Sequence, residues 1–412
     1  MKIATLDILR CPFCGGRLEL VASSFHRRDG DEIADGILGC HCCVFPIVAG
    51  IPIMHLGPDA VAAREQIEAG SPDRAARTMF ALDDDAQAQR FEEAAASPAA
   101  TYRGLVEALG PTFEGGYFLY RFSDPTYLVA EATCRAVGRV ALHGGGRAID
   151  VCGGSGHLTR TLLDVSAAPP ILADLYFAKL WLARRFTAPG CEPVCCDGNA
   201  PLPFVKGAFG FVVCSDAFHY IWTKRLLSSE MMRIAAPDGA VAVTHAHNAN
   251  QWNPSAGMPL PPDAYRDLFE EMAPRVFGER VLLSEIVAGG PLDLSASHAA
   301  DTVDADLALT IVASRRDAVF RSYPLEAPEE ARGEFRLNPL YAVEPGGGRT
   351  LLRLRFPSAD YEDEYGAARL YLGDEVTVDG AALAALPARR LPAALTDLAR
   401  RRVVLDLPRR YY

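Results

Sequence analysis

Residues 150–163 read DVCGGSGHLTRTLL. They set three glycines, Gly153, Gly154 and Gly156, within four positions, between an apolar run and a helix-forming run. The residues just ahead, "RAID", read as the end of a strand, and "HLTRTLLDV" reads as the helix that follows. Glycines at a strand–helix junction let the backbone turn tightly and come close to a ligand. The helix behind them offers free N–H groups to an anion. Alone, the pattern is weak, because a dinucleotide fingerprint is Gly-x-Gly-x-x-Gly and this is not one.

The sequence downstream supplies context. "PILADL" reads as a second strand and "YFAKLWLARRF" as an amphipathic helix. "CEPVCCDGNA" holds a third strand, "FGFVVCSDA" is a fourth, "TKRLLSSEMMRIAA" is a helix, and "PDGAVAVTHAH" turns into a fifth strand. Strands alternating with helices predict a doubly wound, parallel α/β sheet. In such sheets ligands bind at the carboxyl ends of the strands. Asp174 ends the second strand and Asp197 follows the third. Three successive strand ends therefore each present a group that a nucleoside needs.

As a set, these residues resemble the class I S-adenosylmethionine-dependent methyltransferases. Asp150 with the glycines fits their first motif. Asp174 fits the acid that holds the ribose, with Leu175 and Tyr176 packing on adenine. Asp197 and Gly198 fit the position that meets the adenine amino group, and "FVVCSDAFHYI", with Ser215, fits the fourth motif. The resemblance covers residues 104–316 and implies a seven-stranded Rossmann-like sheet. Its closing antiparallel pair would be "RVLLSEIVAG" and "LALTIVASRR". Two positions depart from the pattern: Cys152 where glycine is common, and Gly210 where an acid often precedes strand four. Cys152 is expected to be buried. Ahead of the sheet, "YFLYRFSDPTYLVAEATCRAV" predicts a helix starting after Asp124-Pro125, with Pro near its first position. Tyr120 and a buried Arg121 are candidates there for cofactor or substrate contact.

Five of the eleven cysteines lie in the first fifty residues. Cys11 and Cys14 form a Cys-x-x-Cys turn backed by Gly15 and Gly16, and Cys40 opens a second turn. Two such turns give the four sulfurs that structural zinc prefers. The fourth ligand is Cys43, with Cys42 as the alternative; a redox pair or unliganded thiols is the competing reading. The segment "CPFCGGRLEL…DGILGCHCCVFPIVAGIPIM" resembles the small zinc-ribbon protein that activates tRNA, rRNA and protein methyltransferases. That resemblance implies a closed, structural zinc site.

A chain of 412 residues is long enough for two or three domains. The expected division is a zinc ribbon at 1–56, a helical linker at 57–103, the cofactor-binding domain at 104–316, and a small α+β domain at 317–412. In that last part, residues 342–365 predict a glycine turn and an alternating strand, with Leu352, Leu354 and Phe356 on one face, and residues 377–402 a helix pair. The net charge of −11 argues against a nucleic-acid partner, since phosphate-gripping proteins usually carry a basic balance. The one dense basic cluster, "LARRRVVLDLPRR", alternates with apolar residues; a basic groove formed by this tail would favour an RNA acceptor. No stretch of about twenty residues is continuously apolar, and the amino terminus lacks the apolar core of a secretory signal. A cytoplasmic protein with no membrane partner is expected.

Methyl transfer to oxygen or nitrogen often needs a general base. His219, His245 and His247 lie at or just after strands four and five, at the ligand end, and are the candidate catalytic residues. His157 flanks the glycine loop. The sequence thus predicts a methyltransferase acting on a small molecule, such as a secondary metabolite or a carrier-bound intermediate, with a homodimer compatible. RNA or a translation protein is the alternative acceptor, and a non-catalytic scaffold is the third reading.

Overall fold

The computed structural model describes residues 1–82, 84–110, 118–253, 257–325, 329–346 and 349–412. Its centre is a seven-stranded sheet: β1 (Ala148–Val151), β2 (Ile171–Asp174), β3 (Glu192–Cys195), β4 (Phe209–Ser215), β5 (Ala235–His247), β6 (Pro274–Gly278) and β7 (Ala308–Ser314). Across the sheet the order is β3-β2-β1-β4-β5-β7-β6. The first five strands pair in parallel, and β7 runs antiparallel to both β5 and β6. The order reverses between β1 and β4, so their carboxyl ends diverge into a crevice where a ligand can enter. β1, β2 and β3 are buried along their whole length, as expected of parallel strands covered on both faces.

One expected strand is a helix. Residues 280–287 of the stretch 280–289, expected to form half of the closing pair, lie in helix Glu279–Val287, and the closing strand is the preceding Pro274–Gly278. Leu282, Leu283 and Ile286 fall on one helical face, with Ser284 and Glu285 between them; that is a 3.6-residue period, not an alternation. The expected helix pair near the carboxyl end is also reduced. It becomes two five-residue helices, Gly380–Ala384 and Thr396–Arg400, separated by strand Ala388–Arg390. Pro387 and Pro392 stop any longer helix there.

The parts flanking the sheet are built into it. The amino-terminal sheet runs Glu19–Leu20, Glu32–Gly39, Val44–Val48, Ile51–Pro52, with Arg27–Asp29 added to the second of these. It joins the free edge of β3 through a parallel bridge from Ile53 to Cys195 and the Met54 N–H to the Cys195 carbonyl at 2.6 Å. Leu9, Phe45 and Ile47 share one apolar core with Val194 and Phe204 of the sheet domain. The segment expected as a surface linker begins with helix Pro58–Glu68, whose Ala60, Ala63 and Ile67 are buried. Helix Pro125–Ala141 starts at Asp124 and Pro125 as expected.

The tail adds two three-stranded sheets, one centred on Glu330–Leu337 and one on Arg349–Leu354. Phe335, Leu405 and Tyr411 belong to the same core as Val137, Leu158 and Phe211. Tyr411 is fully buried: it stacks on Tyr102 at 4.8 Å, and its hydroxyl meets His157 Nε2 at 2.7 Å. Tyr411→Ala is therefore expected to cost about 3 kcal/mol of stability, the usual range for removing a buried aromatic ring, read by denaturant unfolding. A variant as stable as wild type would show that the tail is not part of the core.

Candidate active site

The glycine loop follows β1. Cys152 (φ +58°), Gly154 (φ +54°) and Gly156 (φ +72°) all take left-handed backbone conformations. At Gly153 a Cβ atom would lie 2.5 Å from both Asp150 Cγ and Leu172 Cδ1, so no side chain fits there. The loop is pinned from the next strand: Gly154 N–H donates to Asp174 Oδ2 and Tyr176 N–H to Asp174 Oδ1, each at 2.9 Å. Thr159 Oγ1 donates to Asp150 Oδ2 at 2.7 Å. Asp150 Oδ1 and Ser215 Oγ are buried without a hydrogen-bond partner. A buried polar atom left unpaired costs free energy, so these two are waiting acceptor and donor groups.

These atoms border a cavity of about 510 Å³. Of the residues singled out in the sequence, Arg121, Asp150, Gly153, Gly154, His157, Asp174, Leu175, Tyr176, Asp197, Gly198 and Ser215 line it. Gly156, Tyr120 and the candidate bases His219, His245 and His247 do not. Gly156 lies beneath the loop, where a Cβ would sit 2.9 Å from Ala183 Cβ, so its role is packing. Tyr120 instead packs edge-on against Tyr361 of the tail at 5.8 Å. Cys152, expected to be buried, is half-buried and lines the cavity. Its positive φ turns it outward from the strand, against the usual preference for glycine.

Burial pushes the Asp150 carboxyl up to about 7 and that of Asp174 up to about 6, the latter against the pull of its backbone donors. Arg121 is 8% exposed and bonds Asp216 Oδ2 at 2.8 Å and Thr126 Oγ1 at 2.6 Å. Sequence reasoning missed Lys179, Asn199 and Asp216, which also line the cavity. Lys179 lies in helix Phe177–Leu182, with its amine 4.6 Å over the Tyr176 ring, and burial lowers that amine to about 7. Asn199 clamps Asp197 through its N–H and Nδ2, at 2.8 and 3.2 Å.

The three histidines gather beside this cavity, next to Asp216. β5 pairs with β7 up to Val243 and again from Ala246, with one extra residue on β5 between. This β-bulge takes His245 (φ +53°) out of the ladder. Its N–H donates instead to Glu279 Oε1 at 2.6 Å, and its Nδ1 meets Glu279 Oε2 at 2.8 Å. Thr310 Oγ1 holds the same carboxylate at 2.7 Å. Burial opposes a charge on His245, but Glu279 and then Asp216 outweigh it and hold its pKa above the ordinary value. The other two go the opposite way. Burial, then the neighbouring His245, lowers His247 to about 4; burial, then His247 and His245, lowers His219 to about 2. Glu279 was hidden in the sequence because it stands just before a segment, 280–289, read as strand.

His219 and His247 stack face to face at 3.6 Å and 11°, and their donor atoms lie within 4.8 Å of an Asp216 oxygen. Imidazole lone pairs lie in the ring plane. Stacked rings aim theirs side by side instead of at one point, so this trio is a poor seat for a single ion without a ring rotation.

At the amino terminus the converging thiols are those of Cys11, Cys14, Cys40 and Cys42. The first choice for the fourth sulfur, Cys43, stays outside this quartet, and the alternative, Cys42, fills the corner. Sulfur separations are 3.6 Å (Cys11–Cys42), 3.8 Å (Cys14–Cys40) and 3.6 Å (Cys40–Cys42). A tetrahedron of metal–sulfur bonds of about 2.3 Å has edges of about 3.8 Å. The quartet is thus already the size of a zinc site. Burial raises the Cys40 thiol, but N–H groups of Cys42 and Cys43 overcome this and bring it down to about 7.

Residues 148–239 match the family model described as a methyltransferase domain. The matched stretch holds β1 to β4 with the glycine loop, Asp174 and Asp197. A search of curated proteins finds no match. Among solved structures, YcgJ from Bacillus subtilis is 17% identical over 36% of this chain and 66% of its own, with a TM-score of 0.29. A SAM-dependent methyltransferase from Aquifex aeolicus is 17% identical over 39% and 88%, with a TM-score of 0.31. Geranyl diphosphate C-methyltransferase from Streptomyces coelicolor A3(2), in complex with Mg2+, geranyl diphosphate and S-adenosyl-L-homocysteine, is 15% identical over 43% and 74%, with a TM-score of 0.32.

The quartet gives a direct test. Purified protein is expected to hold about one zinc ion, lost in Cys42→Ser and kept in Cys43→Ser, as read by elemental analysis. The reverse pattern would return the fourth corner to Cys43.

Proposed function

We propose that the protein transfers the methyl group of S-adenosylmethionine to an oxygen or nitrogen of a small molecule, free or carrier-bound. The observation that carries this reading is the His245–Glu279 pair, set by the β5 bulge beside the acids of a nucleoside-sized cavity. The cavity fits the cofactor: Asp174 and Asp197 offer carboxylates to hydroxyl and amino groups, Leu175 and Tyr176 offer apolar surface, and Asp150 Oδ1 and Ser215 Oγ lack partners. When bound, S-adenosylmethionine supplies an activated methyl group, and the protein supplies alignment and proton removal.

In this reading Glu279 fixes the ring of His245 so that Nδ1 carries the proton toward the carboxylate and Nε2 is left to accept the acceptor's proton. The resulting imidazolium is stabilised by the same carboxylate. Burial lowers the proton affinity of His247 and His219, which stack on each other beside Asp216, so they are the less suited to that task. Arg121 holds Asp216 in place at the cavity edge. The amino-terminal quartet is assigned to structural zinc, because four protein ligands leave no open position. The division at residues 56, 103 and 316 is retained as the proposed domain plan. None of the eleven cysteines is joined in a disulfide, which suits a reducing cytoplasm. No helix among the described residues is long and apolar enough to cross a membrane.

Calorimetry is expected to show S-adenosylmethionine binding, weakened more than about tenfold by Asp174→Ala, the scale of a lost charged hydrogen bond. No binding by folded wild type would end the proposal. A base must be unprotonated to work, so kcat is expected to fall as pH drops through the raised pKa of His245. Glu279→Gln removes the anion that raises it. The acid limb of the pH–kcat profile should then move to lower pH, with kcat reduced by about 10²-fold, the lower end of a general base's contribution. An unmoved limb would exclude His245 as the base.

A further inference from the structure

A second concavity, of about 350 Å³, shares no lining residue with the cofactor cavity. Five arginines converge on it around Phe186: Arg160 from the helix after the glycine loop, Arg185 from the π-turn Ala183–Thr187, and Arg332, Arg409 and Arg410 from the tail. This is a concentrated positive site in a chain of net charge −11.

Two of the five are matched inside the protein. Arg160 pairs with Asp406 and Arg332 with Asp164, each at 2.8 Å. Arg185, Arg409 and Arg410 have no carboxylate partner among the described residues. Two of these are nevertheless held on the same ring: the guanidinium carbons of Arg410 and Arg185 lie 5.3 and 5.6 Å from the Phe186 centroid. Like charges this close repel, and burial, then Arg410, lowers the pKa of Arg185. Arg410 also has a left-handed backbone (φ +60°), unusual for a long side chain, and its carbonyl is fixed by the Tyr102 N–H at 2.9 Å. The fold thus spends stability to hold cations together, the condition in which an anion supplies the missing partner. Forked guanidinium donors match phosphate oxygens in geometry as well as charge.

We propose that this pocket binds the phosphate or diphosphate group of a small phosphorylated ligand. A concavity of this volume suits a compact anion, and the net charge of −11 disfavours a long polyanion such as RNA. The pocket also touches the cofactor loop from behind. Thr187, in its wall, donates through Oγ1 to the carbonyl of Ser155, and Arg160 lies four residues beyond Gly156. A bound anion would brace that loop, so it should tighten cofactor binding; this linkage alone rests on the S-adenosylmethionine reading.

The test is calorimetry on the full chain with inorganic pyrophosphate and inorganic phosphate, in the absence of any methyl donor. Pyrophosphate is expected to bind with Kd below roughly 1 mM. Arg409→Gln with Arg410→Gln should weaken it about tenfold or more, while Arg409→Lys with Arg410→Lys keeps part of the affinity. Both side chains are exposed, so circular dichroism of the glutamine variant should match wild type. Absence of heat and of thermal stabilisation by either anion at about 10 mM would overturn the proposal. A single-stranded RNA oligonucleotide that binds and is not displaced by pyrophosphate would overturn it in favour of a nucleic-acid face. Because pyrophosphate binding is read without cofactor, its failure is separate from failure of the methyl-transfer reading.

Discussion

The site depends on one buried carboxylate. Asp174 ends β2 and receives N–H donors from Gly154 in the neighbouring loop and from Tyr176 in its own. Those two bonds fix the mouth of the cavity between adjacent strand ends. They form only because Gly153 has no Cβ to strike Asp150 and Leu172. Burial raises the affinity of Asp174 for a proton, so the ionised form is kept by its donors, and a ligand hydroxyl would add to the same balance.

From that point the rest of the chain can be followed outward. The loop packs on His157, which meets Tyr411 near the last residue of the chain. Arg121, also in the cavity wall, is fixed beside Asp124, whose other oxygen accepts from the Tyr361 hydroxyl. Burial lifts Asp124 to about 8 in spite of Arg121, so this is a strongly desolvated node. The tail therefore packs behind His157, which lines the cavity, and the amino-terminal sheet extends the edge of the sheet at β3.

Much of this was legible in the sequence because it is local. Strand alternation, the glycine turn, Asp174 and Asp197 after their strands, and the Asp124-Pro125 helix start all depend on residues within a few positions of one another. The failures have a common cause as well. Residues 280–289 are apolar enough for either period, and the helix won because its buried face could meet the core. Glu279 looked incidental until the fold brought it 2.8 Å from His245, 34 residues away. Cys42 and Cys43 are adjacent, and which thiol turns inward is a matter of backbone geometry that composition does not encode.

The sequence by itself determined the parallel α/β core, the glycine loop with its acids, and the two cysteine turns. These follow from short-range backbone preference and from the period of apolar residues. Only the tertiary structure set which way burial and charged neighbours push each histidine, and which four thiols converge. It alone gathered five arginines from four separate segments into one concavity. Proton affinity and charge crowding depend on burial and on neighbours distant in sequence, and those exist only once the chain has folded.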